Sequence, residues 1–408
     1  MSVCAAFALA SLIGAPTPPA AVPVSKPEDL VRQLADKSYR VREKAATALI
    51  HQGSSAVAAL TAGTKDADPE VSERSRQLLP QVAAIERNEK LALLVKDPTS
   101  PPPKGLAGLE RFLKASGDSK ESRELYAELM HIHHRTLELA ETDPRLAAQD
   151  FQMFCEEAYN RYQTAARMGR YNVDNLFNGR PDITYLLFIA SDARVRKNDN
   201  GMNKMYMMFN GNQITKAMSN KDGSPAMQKL FLNWLEHEPQ TYLQQQGFQL
   251  AAQAGIKEAL PMVLRMLEKK DNDNFSRVQV MTALIRLGSK EHIPLLDKYL
   301  TETTQVTNIN FGNGDTMVVQ TRDIAMGVQV QLAGQKLTDF GFDNRFGGGQ
   351  GMQVHYYGFR EESDGKSKAR DEAHAKWKEW AAKNLPKTPA AKTPETPKAE
   401  PKVPPEKK

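Results

Sequence analysis

The segment Ala48-Leu49-Ile50-His51-Gln52-Gly53-Ser54 returns far along the chain as Ala283-Leu284-Ile285-Arg286-Leu287-Gly288-Ser289, with five of seven positions identical. Leu250-Ala251-Ala252-Gln253-Ala254-Gly255 is a third, looser copy. A second apolar segment follows each glycine: Ala56 to Leu60, Ala259 to Leu267, and His292 to Leu300. Pro261 and Pro294 each lie six residues past their glycine. Internal similarity of this kind means one supersecondary unit, copied and stacked. Its physics is that of a helix pair. Glycine closes the first helix in the left-handed conformation, and proline is tolerated in the first turn of the second. Val278, Met281, Leu284 and Ile285 recur at helical spacing, and Leu295, Leu296, Tyr299 and Leu300 answer from the partner. One pair cannot bury such a stripe alone, so neighbours must stack.

These residues resemble bacterial HEAT repeats. Arg40-Val41-Arg42-Glu43-Lys44-Ala45-Ala46 opens a helix in the manner of that family, and Asp68-Pro69-Glu70-Val71 opens the next repeat. Tyr242 to Leu300 looks the same, and Thr321-Arg322-Asp323-Ile324-Ala325 resembles the first helix of a further repeat. The likeness covers about half of the chain. It implies an all-α, HEAT-like helical-repeat solenoid, and it says little about function, because such patterns are degenerate.

The organisation expected along the chain starts with an uncharged leader at 1–21. Val3 to Ile13 is mainly apolar, and Ala8-Leu9-Ala10, Ala15, Ala20 and Ala21 offer small residues for cleavage. This is the shape of a secretory signal peptide without its usual basic start. HEAT-like repeats follow at 26–96, a linker at 97–104, and an irregular helical region at 105–236. In that region Ile183 to Ala190 reads as a buried helix, and Met202, Met205, Met207 and Met208, with Met218 and Met227, read as core filling. Further HEAT-like repeats occupy 237–340, interrupted near 305–320 by a β-hairpin. There Gln305 to Phe311 alternates, Gly312 to Asp315 supplies turn residues, and Thr316 to Gln320 is β-prone. Residues 341–385 hold a glycine-rich loop at Gly347 to Gly351 and a capping helix from Lys366 to Asn384, with Ala373, Trp377 and Trp380 on one face.

The final segment, 386–408, is built almost wholly from Pro, Lys, Ala, Glu and Thr and cannot bury enough apolar surface to offset its ordering entropy. Its six lysines and three glutamates supply +3 of the +5 formal charge, which leaves the body near +2. That balance argues against a nucleic-acid platform. No segment approaches about 18 continuous apolar residues, so no transmembrane helix is expected.

The search for chemistry returns little. Glu128-Leu129-Met130-His131 has the E-x-x-H spacing of di-iron helices, with His133 and His134 beyond, but the chain holds no second such motif. Leu125, Leu129, Ile132 and Leu139 mark a core stripe on the same helix and leave Glu128 and His131 at a solvated border. Asp66/Asp68 and Asp271/Asp273 precede helix starts, where carboxylates cap. Of the two cysteines, Cys155 falls in an apolar helix and Cys4 in the leader, so no structural disulfide is expected within a processed chain. No Gly-x-Ser-x-Gly, His-Glu-x-x-His or phosphate loop occurs. The expectation is a chain without catalytic, cofactor or metal residues. As a non-enzymatic scaffold it would bind an unidentified protein partner, in a periplasmic or other extracytoplasmic setting if the leader is cleaved and in the cytoplasm otherwise. A second reading is a binder of cell-envelope polymer or an anionic surface through Tyr356, Tyr357, Phe359 and Arg360, and a third is a lyase-type HEAT enzyme.

Overall fold

Asp68 shows how the first unit is built. Its carboxylate accepts from the backbone N–H of Glu70 at 2.8 Å and of Val71 at 3.4 Å, while Pro69 takes the first helical position. A short acceptor and a pre-set φ together start a helix that then runs to Lys96. The structure, a computed structural model, describes residues 25–169, 176–195, 204, 212–219, 223–269, 273–311, 316–342, 357–361 and 367–385. The chain divides between Asp97 and Pro98 into two units. The leader at 1–21 with Cys4, the methionines 202, 205, 207 and 208, Asp271, Gly312 to Asp315, Gly347 to Gly351, Tyr356 and the tail at 386–408 lie outside the described residues.

The described chain is mostly helical. In the first unit, α1 (Pro27–Gln33), α2 (Tyr39–Gln52), α3 (Val57–Gly63) and α4 (Pro69–Lys96) close on Leu34, Leu49, Leu60 and Val82, all fully buried. Gly53 ends α2 with the positive φ that favours glycine, 54°, but its ψ of −129° takes it away from the left-handed helical turn that the repeat pattern anticipates.

The second unit opens with α5 (Leu109–Ser116), α6 (Lys120–Thr142), α7 (Pro144–Arg167) and α8 (Arg180–Ala190). Ile183 to Ala190 is helical and buried, as the apolar run predicts. The stripe expected on α6 is shifted, however. Leu125 and Leu129 are buried, but Ile132 is 53% exposed. The buried face instead includes Tyr126, Met130, Leu137 and Ala140, and α5, α7 and α8 all pack on this helix. His133 breaks the helix with φ −114° and ψ 20°.

Next come α9 (Asn212–Met218), α10 (Pro225–His237), α11 (Thr241–Ala254), α12 (Leu260–Glu268) and α13 (Asn274–Leu287). Met218 and Met227 are buried. The helices α11 and α12 both pack on α13, which in turn packs on α14 (Thr321–Leu332). Gly255 ends α11 at φ 76°. Gly288, its counterpart, departs from the expected left-handed turn: it is extended, and a Cβ there would meet the Leu284 carbonyl oxygen at 2.7 Å. Space, not φ, requires glycine at that position. The following segment is also not the expected α-helix. Lys290–Tyr299 is a 3₁₀-helix, with Pro294 inside it withholding an N–H and opposing α-geometry.

The hairpin forms where it is expected. β1 (Gln305–Asn310) pairs antiparallel with β2 (Thr316–Gln320), with a register shift between Gln305 and Thr307. β3 (Phe359–Arg360) pairs antiparallel on the other side of β2, giving the order β1-β2-β3.

The last helix, α15 (Lys368–Asn384), docks on α14. Its apolar contribution is small: Ala373 and Trp377 are buried and Trp380 is half-buried. A polar contact adds what the apolar face lacks. Arg370, 1% exposed, sets its Nε 3.1 Å from both carboxylate oxygens of the fully buried Asp323. Its remaining nitrogens donate to the Val318 carbonyl at 3.0 Å and to Glu361 at 3.2 Å. Asp323 also accepts the Gln320 N–H at 2.9 Å, so one carboxylate both starts α14 and anchors α15. Trp377 Nε1 donates to Gln329 at 2.7 Å, and Gln329 donates onward to Asp297 at 2.7 Å.

Removing one partner of a buried ion pair leaves the other charge unpaired, at a cost of about 3–5 kcal/mol. Arg370→Ala is therefore expected to lower stability by about that amount in urea denaturation followed by circular dichroism.

Candidate functional site

The cavity with the most built surroundings lies in the second unit, along the proline-rich segment that leads into α5. Ser100 is held by Arg123, which is 2% exposed, donates to the Ser100 carbonyl at 2.9 Å and pairs with Asp118 at 2.7 and 2.9 Å. Ala107 is held by Tyr126, whose hydroxyl donates to its carbonyl at 2.7 Å. Burial pushes the Tyr126 phenol far above its usual range, so that donor does not ionise. Gly108 adopts φ 72° to turn the chain into α5. Behind it Phe112 stands edge-on to Tyr126 and Phe188, at centroid distances of 5.4 and 5.1 Å.

The segment so fixed borders an open cleft of about 820 Å³. Pro102, Pro103, Leu106, Ala107, Leu109 and Leu113 give it apolar walls, and Arg111, Glu138, Glu141 and Arg194 a charged rim. The rim is organised by Asp192, which is 4% exposed. Asp192 lies 3.0 Å from Arg111 Nη2 and 2.8 Å from Arg194 Nη2 and accepts the Arg194 backbone N–H at 3.0 Å. Burial works against its charge, but the Arg194 hydrogen bonds and the Arg111 guanidinium outweigh it, and the carboxyl is held below the usual range. Arg194 also forks onto Glu141 at 3.0 and 3.1 Å, and Arg111 lies 3.8 Å over the Phe188 ring. Asp192 and Glu141 thus pair the rim arginines, Lys104 and Glu110 add exposed charges to the lining, and the cleft offers a ligand apolar surface beside them.

A second polar cluster joins α6, α7 and α8 at the break in α6. His133 Nε2 lies 2.8 Å from Asp182 Oδ1, and its ring stacks on Tyr185 at 4.0 Å with Phe154 edge-on. The Asn178 backbone and side-chain amides donate to the other Asp182 oxygen at 2.9 and 3.1 Å. Burial opposes the Asp182 charge, while His133 and Asn178 favour it more strongly, so this carboxyl too sits below its ordinary value. Cys155 is fully buried, and burial pushes its thiol up to about 12. A thiol in that state is not a nucleophile near neutral pH.

The residues singled out by sequence fall elsewhere. Glu128 pairs with Arg180, and His131 is exposed. Among the described residues no group of three or more His, Cys, Asp or Glu side chains is arranged to hold a metal. Asp68 and Asp273 cap α4 and α13. Tyr357 and Phe359 are buried, Tyr357 against Gly327 and bonded to Gln331 at 2.8 Å, while Arg360 is exposed. Rings so placed cannot stack on a polymer without opening the core. Sequence reasoning missed Arg111, Asp192 and Arg194, whose only linear signal is a charged trio flanking apolar runs. Among the described residues no helix is long and apolar enough to cross a membrane. No family model, curated protein or solved structure matches the chain.

A carboxylate held low stabilises the folded chain fully above about pH 4, its unfolded value, and that contribution is lost as pH falls through the folded value. Asp182→Asn is expected to flatten the acid limb of the stability profile below about pH 4. Urea denaturation at stepped pH reads this, and a slope equal to wild type would contradict the role assigned to the His133–Asp182 pair.

Proposed function

We propose that this chain is a non-enzymatic, HEAT-like helical-repeat scaffold whose second unit grips an apolar segment of another protein in the cleft beside α5. The observation that carries the reading is the cleft itself: an apolar surface beside the paired Arg111, Asp192, Arg194 and Glu141, on a segment pinned at Ser100 and Ala107. A preformed, mainly apolar site with a few fixed polar groups binds by burial and shape, and rigidity lowers the entropy lost on binding. The stacking of α11, α13 and α14, each the first helix of a repeat copy, supports the solenoid part of the proposal. The leader supports an extracytoplasmic location.

The test is affinity capture of the C-terminally tagged protein from its native cells, with mass spectrometry, comparing wild type with Ala107→Trp. Ala107 lines the cleft, and an indole there takes up part of its apolar surface. A near-stoichiometric partner that falls at least about tenfold in the variant, at unchanged thermal stability, is the expected result. A partner retained in full by Ala107→Trp would move the binding surface elsewhere, and no partner at all would end the scaffold reading.

A further inference from the structure

Among the described residues, Gln305 to Ile309 of β1 pair with β2 on one side only and meet no strand on the other. The strand is also bare on its faces: Gln305 and Asn308 are exposed, and Val306, Thr307 and Ile309 are half-buried, whereas Met317, Val318 and Val319 of β2 are buried. An edge of unpaired backbone N–H and C=O groups is a template for another strand. Natural edges are blunted by lysine, proline, a bulge or a covering element. Among the described residues the register shift near Val306 is the only such device, and Thr303 to Phe311 contains neither a charged residue nor a proline.

We propose that β1 pairs antiparallel with β1 of a second copy of the chain, giving a two-fold dimer joined through the sheet edge. The absence of charge selects this occupant. An uncharged strand offers nothing to a charged peptide, and it meets its own copy without repulsion. The chain's own tail cannot fill the place, because its longest proline-free run, Ala390–Thr393, is shorter than the open edge and proline cannot donate to a ladder. A two-fold axis at Asn308 sets Thr307 opposite Ile309 of the second copy, twice, on the same face of the sheet as Met317 and Val319. Those are β-branched cross-strand pairs, which favour sheet pairing. The short edge points to a dimer of micromolar strength rather than a permanent one. This inference is independent of what the cleft binds.

Sedimentation equilibrium of the full chain across the micromolar range tests it. The wild type is expected to dimerise reversibly, and Asn308→Lys, which places two like charges across the axis, is expected to raise the dissociation constant by about tenfold or more. Asn308 is exposed, and equal thermal stability of the variant shows that the hairpin survives. Asn308→Cys in a Cys4→Ser background supplies a second measurement: oxidation is expected to cross-link the chain into dimers, with Cys155 buried and silent. A wild type that stays monomeric, a dimer as tight in Asn308→Lys as in wild type, or a failure of Asn308→Cys to cross-link would each overturn the proposal.

Discussion

A helix buried on most of its surface has to be covered from several directions, and α13 is the clearest case. Val278, Val280, Met281, Ala283 and Leu284 are fully buried, which α11, α12 and α14 accomplish together. The same condition then falls on α14, where Ile324, Ala325, Met326, Val328 and Val330 are fully buried. Each added helix passes the requirement on, and the series ends only when a helix arrives that can face water. That helix is α15, which is rich in charged residues and supplies few large apolar side chains. Its anchorage by Arg370 on Asp323 follows from this shortage: where little apolar area is on offer, a fully satisfied buried ion pair fixes position and register.

The same economy of means shapes the cleft. The segment entering α5 has no helical hydrogen bonds of its own, so long-range donors from α6 hold it in place. Asp192 does for the rim what Asp323 does for the cap, with one buried carboxylate ordering two arginines. Because Arg111 and Arg194 already face carboxylates, a ligand meeting that part of the rim need not strip water from an unpaired guanidinium. Selectivity there rests on shape.

The sequence was legible where one element determines its own form. The helix at Ile183–Ala190, the hairpin and the turn at Gly255 follow from apolar runs, alternation and glycine. It was less legible where neighbours decide. Gly288 lies at a repeated position, yet the Leu284 carbonyl and the Leu332 side chain, not the turn, require its missing side chain. Ile132 keeps helical step with Leu125 and Leu129, yet it is exposed where they are fully buried. The candidate sites were least legible of all. The E-x-x-H spacing drew notice to Glu128 and His131, whereas the histidine of that helix shown against a buried carboxylate is His133, and its partner Asp182 is on another helix. Periodicity records which face a residue occupies; it does not record which distant carboxylate will meet it there.

Cys155 gives the second unit an internal clock. A thiol sealed in α7 and raised to about 12 stays unmodified in oxidising and reducing surroundings alike, for as long as the helices around it remain closed. Alkylating reagents can reach it only through molecules in which that packing has opened. In a Cys4→Ser background its labelling rate in native buffer therefore counts openings of the packing around α7, with no denaturant.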